Sequence, residues 1–258
     1  MNKKALVLFP AVFAGLMLVS ALTVAVIVRL KSETLPEGRT GPEAEALTAR
    51  LEKAVNIEAW KNLAAVSFTF GPTGDRHFRD LKRDLIEVRF GSGRDEVIVQ
   101  YNNKNWSRFK VREGGRPLQG RAARKAFEKA RKKHVNDFFW LNPLAQLRAP
   151  GAIRKIIGKR SLLITYPQGG LTPGDSYLYV LDSKTGLPLY FKLWVDIIPL
   201  KGFRATFEDW VKTPEGILFS RKHETPVYAI NIKNIRTFSR YPKAGSEDRF
   251  KDVSFLPK

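Results

Sequence analysis

Apolar and polar residues alternate at period two through much of this chain, most densely from Gly174 to Phe238. Between Leu187 and Asp196, Leu189, Phe191, Leu193 and Val195 fall on one side while Tyr190, Lys192, Trp194 and Asp196 fall on the other, which predicts a strand with one covered face. The preceding run, Ser176 to Asp182, joins it through Ser183-Lys184-Thr185-Gly186, a turn whose glycine can take positive φ. Phe203 to Lys212 repeats the alternation and turns at Thr213-Pro214-Glu215-Gly216 into Ile217 to His223. Two hairpins are predicted, then a closing strand within Val227 to Phe238 carrying Ile230, Ile232 and Ile235.

The earlier part of the chain carries the same rhythm. Val66, Phe68 and Phe70 precede the turn Gly71-Pro72-Thr73-Gly74; Ile86, Val88 and Phe90 follow, then Val97, Val99 and Tyr101, and beyond Asn102-Asn103-Lys104-Asn105 come Phe109 and Val111. This predicts an antiparallel meander. Strands are also expected around Ile156 and from Arg160 to Tyr166, after the break at Ala149-Pro150-Gly151, with a glycine-rich loop from Gln168 to Gly174.

Two segments switch to helical spacing. Pro42 to about Asn62 begins with proline in the first turn, has Glu43 and Glu45 near the positive helix end, and carries Leu47, Leu51, Ala54 and Val55 as a stripe. Gly120 to Leu147 carries Ala123, Ala126, Phe127 and Ala130, then Phe138-Phe139-Trp140-Leu141, then Asn142-Pro143, where Asn142 is expected to cap a short helix holding Leu144 and Leu147. Four consecutive large apolar residues cannot share one side. They either pin a helix to a sheet or line a pocket for an apolar ligand.

Ahead of all this, Met1-Asn2-Lys3-Lys4 precedes an uncharged apolar run from Ala5 to Val28, long enough as a helix to cross a hydrocarbon layer of roughly 30 Å. The rival reading is a signal peptide cleaved at Val19-Ser20-Ala21, but the run exceeds the ordinary apolar region of about 7–15 residues. The expected organisation is a transmembrane anchor over 1–30 and a polar spacer over 31–41 that lets the body stand off the membrane. A folded domain over 42–240 and a loosely attached basic tail over 241–258 follow. So short an N-terminal tail leaves nothing to fold inside, which places the domain in the periplasm, held by a single pass through a bacterial inner membrane.

Charge sharpens the picture: 45 Lys+Arg against 25 Asp+Glu gives +20, so an anionic partner has to be considered. Arg121, Arg124, Lys125, Lys129, Arg131, Lys132 and Lys133 surround the stripe of the second helix. They are either a solvated face or a surface for an anionic membrane. Cysteine is absent, which excludes disulfides, thiolate metal sites and lipidation at an N-terminal cysteine. His77, His134 and His223 fall in separate elements without metal-ligand spacing, and no nucleophile elbow, phosphate loop or dinucleotide fingerprint is present. No catalytic residue, metal or cofactor is predicted. Glu208 and Asp209 are adjacent and so point to opposite faces of a strand, unsuited to a carboxylate pair; Asp209 marks a bulge or strand end. Basic residues interleave with Trp106, Phe109, Tyr190 and Trp194, but no nucleic-acid-binding signature accompanies them, and no nucleic acid is expected as partner.

The Pro42–Leu63 helix leading into Val66-Ser67-Phe68-Thr69-Phe70, Tyr177-Leu178-Tyr179-Val180-Leu181-Asp182 with Lys184-Thr185-Gly186-Leu187-Pro188, and Phe207-Glu208-Asp209-Trp210 before Glu215-Gly216-Ile217 carry a resemblance. Over roughly Pro42 to Phe238 the chain resembles the lipoprotein localisation factor (LolA/LolB-like) superfamily. The resemblance implies an α+β fold in which a strongly curved antiparallel sheet, an unclosed β-barrel, is covered by helices and holds an acyl chain or other apolar ligand between them. The apparent anchor and the missing lipidation cysteine depart from that superfamily's best-known members and point to a tethered domain in place of a diffusing shuttle. On this reading Phe68, Val99, Leu189, Phe191, Leu193 and Phe207 form the cavity wall and Phe138, Phe139, Trp140 and Leu144 its plug, with lipid and an anionic membrane surface as partners. The alternative is an assembly subunit of an envelope complex that docks a partner protein in the same groove.

Overall fold

A computed structural model describes residues 17, 22, 23, 26–168, 173–243 and 245–253. Most of the expected membrane span, the middle of the Gln168–Gly174 loop and the last residues of the tail lie outside the described residues. Among the described residues no helix is long and apolar enough to cross a membrane.

The fold is α+β, built on antiparallel sheets that do not close. The strands are β1 Ala65–Phe70, β2 Asp75–Asp80, β3 Leu85–Phe90, β4 Val97–Asn102, β5 Phe109–Glu113, β6 Arg116–Leu118, β7 Ile153–Ile157, β8 Ser161–Thr165, β9 Ser176–Leu181, β10 Pro188–Trp194, β11 Phe203–Thr206, β12 Glu208–Lys212, β13 Leu218–Glu224 and β14 Ala229–Phe238. One sheet runs β12-β13-β14-β1-β2-β3-β4-β5-β6, the other β11-β10-β9-β8-β7. Both expected hairpins form, and the alternating segment Phe203–Lys212 does double duty: β11 pairs with β10, while β12 pairs with β13. Phe207 lies at the crossing, and the next residue but one, Asp209, takes a left-handed φ of 54° and turns outward to pair with Arg221 at 2.7 Å. The irregularity expected there is present. At the same crossing the buried His223 ring lies between two carbonyls, with Nδ1 2.7 Å from that of Thr206 and Nε2 3.1 Å from that of Trp140.

Three helices supply the cover. The first helical stretch breaks in two, α1 Pro42–Val55 and α2 Ile57–Asn62, because Asn56 adopts φ 57°, ψ 57° and its side chain accepts from the Ala59 amide at 3.3 Å to start the second helix. The second stretch is one helix, α3 Gly120–Leu141, followed by a single 3₁₀ turn over Pro143–Gln146. Asn142 makes no side-chain cap there, against expectation. Leu47, Leu51 and Val55 of α1 and Trp140 and Leu141 of α3 pack with Tyr179, Phe191 and Leu193 of the small sheet in one continuous core. A second cluster, Ile86, Val88, Phe90, Val99 and Tyr101, lies under Ala123, Phe127 and Ala130 of α3.

Three expectations are corrected. The 31–41 segment does not stand off the body: Lys192 binds the Glu33 carboxylate at 2.6 Å, Trp194 Nε1 donates to the Glu33 carbonyl at 2.8 Å, and Arg39 bridges to Ile156 on the outer edge of β7. Its proline and glycines read as a spacer, yet Trp194, on the outer face of β10, gains cover and a hydrogen-bond acceptor from it. The basic tail is not loose either. Phe250 and Val253 are buried against Phe78, Leu85 and Ala65 on the outer face of the large sheet, and Arg83 grips Asp248 through two bonds of 2.6 and 2.9 Å. Finally, Leu189 does not join the inward set. The β9–β10 register slips between Pro188 and Tyr190, which turns Leu189 outward at 45% exposure while Phe191 and Leu193 stay buried.

Candidate functional site

The strand that period-two reading passes over is β2, Asp75-Arg76-His77-Phe78-Arg79-Asp80, because its core-facing residues are polar. Registers fix its place: Phe68, His77, Val88 and Val99 form one row across β1 to β4, and Val66, Arg79, Ile86 and Tyr101 the next. These rows face α3, so Asp75, His77 and Arg79 form a polar ridge between sheet and helix.

α3 answers that ridge. Its buried stripe Ala123, Phe127, Ala130 continues as His134, Asp137 and Leu141, so two polar residues occupy core-facing turns of the helix. Lys133 pairs with Asp75, which also accepts from Thr73 Oγ1 at 2.5 Å. His77 Nε2 lies 2.8 Å from Asp137 Oδ2, and His134 Nδ1 lies 3.3 Å from His77 Nδ1. Asn136 Nδ2 donates to the other Asp137 oxygen at 2.8 Å. A carboxylate only accepts, so the His77 Nε2 carries hydrogen and a chain of bonds runs from Asp137 through His77 to His134. Burial, and after it the neighbouring His77 and Arg79, hold the pKa of His134 well below the ordinary histidine value.

This chain ends at a cavity of about 600 Å³, lined by Arg79, His134, Phe138, Phe139, Tyr166 and Tyr177 among others. Arg79 donates to Asp84 at 2.8 Å and lies over the Phe138 ring, its guanidinium carbon 4.6 Å from the centroid. His134 stacks on the same ring at 5.0 Å. Away from this end, Tyr166 donates to the Gln146 carbonyl at 3.1 Å and Tyr177 to Asp175 at 3.3 Å; burial raises both phenol pKa values. Among the described residues, three buried side-chain atoms have no hydrogen-bond partner: Arg79 Nε, Tyr101 Oη and His134 Nε2. Two of the three belong to residues lining the cavity. Among the described residues, its lining holds no serine, threonine or cysteine, and no cluster of three metal-ligating side chains occurs. The arrangement suits holding an amphiphile.

Of the residues expected to make the wall and plug, the structure brings Phe138 and Phe139 to the cavity. Phe68, Trp140, Leu144, Phe191, Leu193 and Phe207 are in the self-filled core, and Val99 is in the second cluster. Phe191 alone has Phe207, Tyr179 and Trp140 rings at 5.0, 5.7 and 5.9 Å, which leaves no room for a guest there. Leu189 is outside altogether. Of the basic set, Arg121, Arg124, Lys125, Lys129 and Lys132 are exposed, Arg131 stacks on Trp106 at 4.4 Å, and Lys133 turns inward to Asp75. Sequence reasoning missed His77, Arg79, His134, Tyr166 and Tyr177. The available signal was the continuation of the Ala123-Phe127-Ala130 stripe into His134 and Asp137.

No protein-family model matches the chain, and no curated protein matches it. Among solved structures, the crystal structure of a DUF1329 family protein from Desulfovibrio piger ATCC 29098 is similar at 13% identity, covering 81% of this chain and 97% of that one, with a TM-score of 0.36.

Proposed function

We propose that this chain is a membrane-anchored periplasmic domain that binds a lipid or other amphiphile between α3 and the sheet, and that it serves envelope lipid or lipoprotein handling as a binding protein, without catalytic residues or cofactor. The observation that carries this reading is the cavity of about 600 Å³ with its aromatic lining of Phe138, Phe139, Tyr166 and Tyr177. Its volume falls within the roughly 300–1,000 Å³ of small-molecule sites. Each methylene buried in it contributes about 0.8 kcal/mol, so a partial acyl chain suffices for retention. The resemblance to the lipoprotein localisation factor superfamily supports the same reading, as does the N-terminal apolar run. The exposed cations of α3 would draw the domain to an anionic membrane at about 1 kcal/mol each.

The test is organic extraction and mass spectrometry of the full chain, exchanged from membranes into nanodiscs of one defined phosphatidylcholine. A stoichiometric apolar species other than the disc lipid is expected, and the double variant Ala145→Trp with Ala149→Trp, which puts two large rings into the cavity, should expel it. Retention of the species by that variant would place it elsewhere and defeat the proposal. In the same preparation, charge reversal at Arg124, Lys129 and Lys132 should weaken binding to anionic vesicles.

A further inference from the structure

The segment before α1 fixes which way the body faces. Resting on the reading of the apolar run Ala5–Val28 as a membrane anchor, we propose that the end of the five-stranded sheet carrying the β10–β11 loop docks on the bilayer that holds the anchor, and that the cavity opens onto that bilayer. Val26 to Lys31 are helical, and the Ser32 amide still donates to the Val28 carbonyl at 2.9 Å, so the helix runs to the edge of the body without a spacer. There it meets the loop after β10. Ser32 Oγ accepts from the Lys201 amide at 3.2 Å, and the Glu33 amide donates to the Lys201 carbonyl at 3.0 Å. At about 1.5 Å of rise per helical residue, Val28 and Ser32 are roughly 6 Å apart along the axis. With Val28 at the end of the apolar run, the loop is held at the membrane surface.

The loop has the chemistry for that place. It reads Ile197-Ile198-Pro199-Leu200-Lys201, with Ile197 61% exposed. Apolar side chains beside a lysine gain by entering the boundary between headgroups and acyl chains, to a depth of about 5–10 Å. The carboxylates of Asp196 and Glu33 next to the loop are each paired, with Lys201 at 3.2 Å and Lys192 at 2.6 Å. Registers put the open side of the cavity at the same end. Ile153 pairs with Thr165, Thr165 with Ser176, Ser176 with Trp194, and Leu193 with Phe203, so β7, β9 and β11 begin where β8 and β10 end. Among the cavity's lining residues Pro150 and Gln168 are exposed, one just before β7 and the other just after β8. Asp175, which also lines it, accepts from the Asp196 amide of the β10–β11 loop at 3.4 Å. An amphiphile leaving the bilayer at this edge enters the cavity without crossing water.

The chain has no cysteine, so Leu22→Cys, Gln168→Cys, Lys184→Cys and Ile197→Cys, made singly, each carry one NBD fluorophore on the full chain in phosphatidylcholine nanodiscs. All four positions are exposed, so the fold tolerates the changes. Lys184 is the control, in the β9–β10 turn at the opposite end of the sheet. Phosphatidylcholine brominated in its acyl chains reports probes inserted below the headgroups, and phosphatidylcholine spin-labelled on its headgroup reports probes at the surface. With insertion to about 5–10 Å, the probes at positions 22 and 197 are expected to be quenched by the brominated lipid at least about fivefold more than the probe at 184. The probe at 168 should exceed the control likewise with the headgroup quencher. Quenching at 22, with 197 no more quenched than 184, overturns the docking edge and leaves the anchor standing. Quenching at 197, with 168 no more quenched than 184, overturns the opening of the cavity onto the bilayer. Absence of quenching at 22 overturns the anchor reading and the docking edge with it.

Discussion

The two sheets line one interior with opposite chemistry. The inner face of the five-stranded sheet presents Leu162, Ile164, Tyr179, Phe191 and Leu193, all packed into the main core, whereas β2 of the nine-stranded sheet presents Asp75, His77 and Arg79 to α3. Apolar residues fill the space they enclose because dispersion and burial reward contact in any direction. Polar residues pack only where their directional bonds permit, and around Arg79 and His134 those bonds do not close. The cavity lies between the polar ridge and the apolar wall, with Arg79 of β2 on one side and Tyr177 of β9 on the other.

This contrast can be broken in a graded way. The largest effect is expected on the apolar side: Phe191→Ala should lower unfolding free energy by about 3–5 kcal/mol in urea titration while leaving cavity occupancy unchanged, because the ring is core and not wall. On the polar side, Asp137→Ala strands His77 Nε2–H and should cost about 2–3 kcal/mol, with Asp137→Asn costing less because an amide oxygen still accepts. A cost for Asp137→Ala below that of Asp137→Asn would show that the ridge is not a connected network.

Acid should separate the regions next. Burial depresses the pKa of both His134 and His223, outweighing for His223 the two carbonyls that raise it. The unfolded chain takes up protons near the ordinary histidine value of about 6.5 that the folded chain refuses. Stability should therefore be level above that pH and fall below it, by up to about 1.4 kcal/mol per pH unit for each histidine. Urea midpoints measured at about pH 7.5 and 5.5 check the sign, and His134→Gln should reduce the slope. The smallest effect belongs to Leu189→Ser, expected within about 0.5 kcal/mol of no change, since the bulge has turned that side chain into solvent.

How much of this was legible depends on which force set each element. Hydrophobic periodicity located both hairpins, the meander and the α3 stripe, since each buries apolar atoms at regular spacing. It could not place β2, whose buried positions are Asp75 and His77 on one side and Phe78 and Asp80 on the other, a pattern that reads as a charged loop. Nor could it foresee that Leu189 would leave its set, because a bulge shifts register without changing composition. The candidate site was legible only at Phe138 and Phe139. The rest required knowing that His77 meets His134 across 57 residues of chain, a juxtaposition set by sheet order and not by local spacing. The tail was misread for a related reason: Phe250 and Val253 are two apolar residues among charges, too few to show a period.

Away from the Phe207 crossing, where β11 and β12 end the two sheets, the larger sheet ends in β6 and the smaller in β7, and any such border can recruit another chain by extending its ladder. The borders at β6 and β7 are blunted. β6 is three residues long with Pro117 in its middle, and β7 is shielded where Arg39 exchanges hydrogen bonds with Ile156, an approach so close that a Cβ on Gly38 would come within 2.9 Å of Ile157. Those two edges are thereby kept from pairing with further copies of the chain.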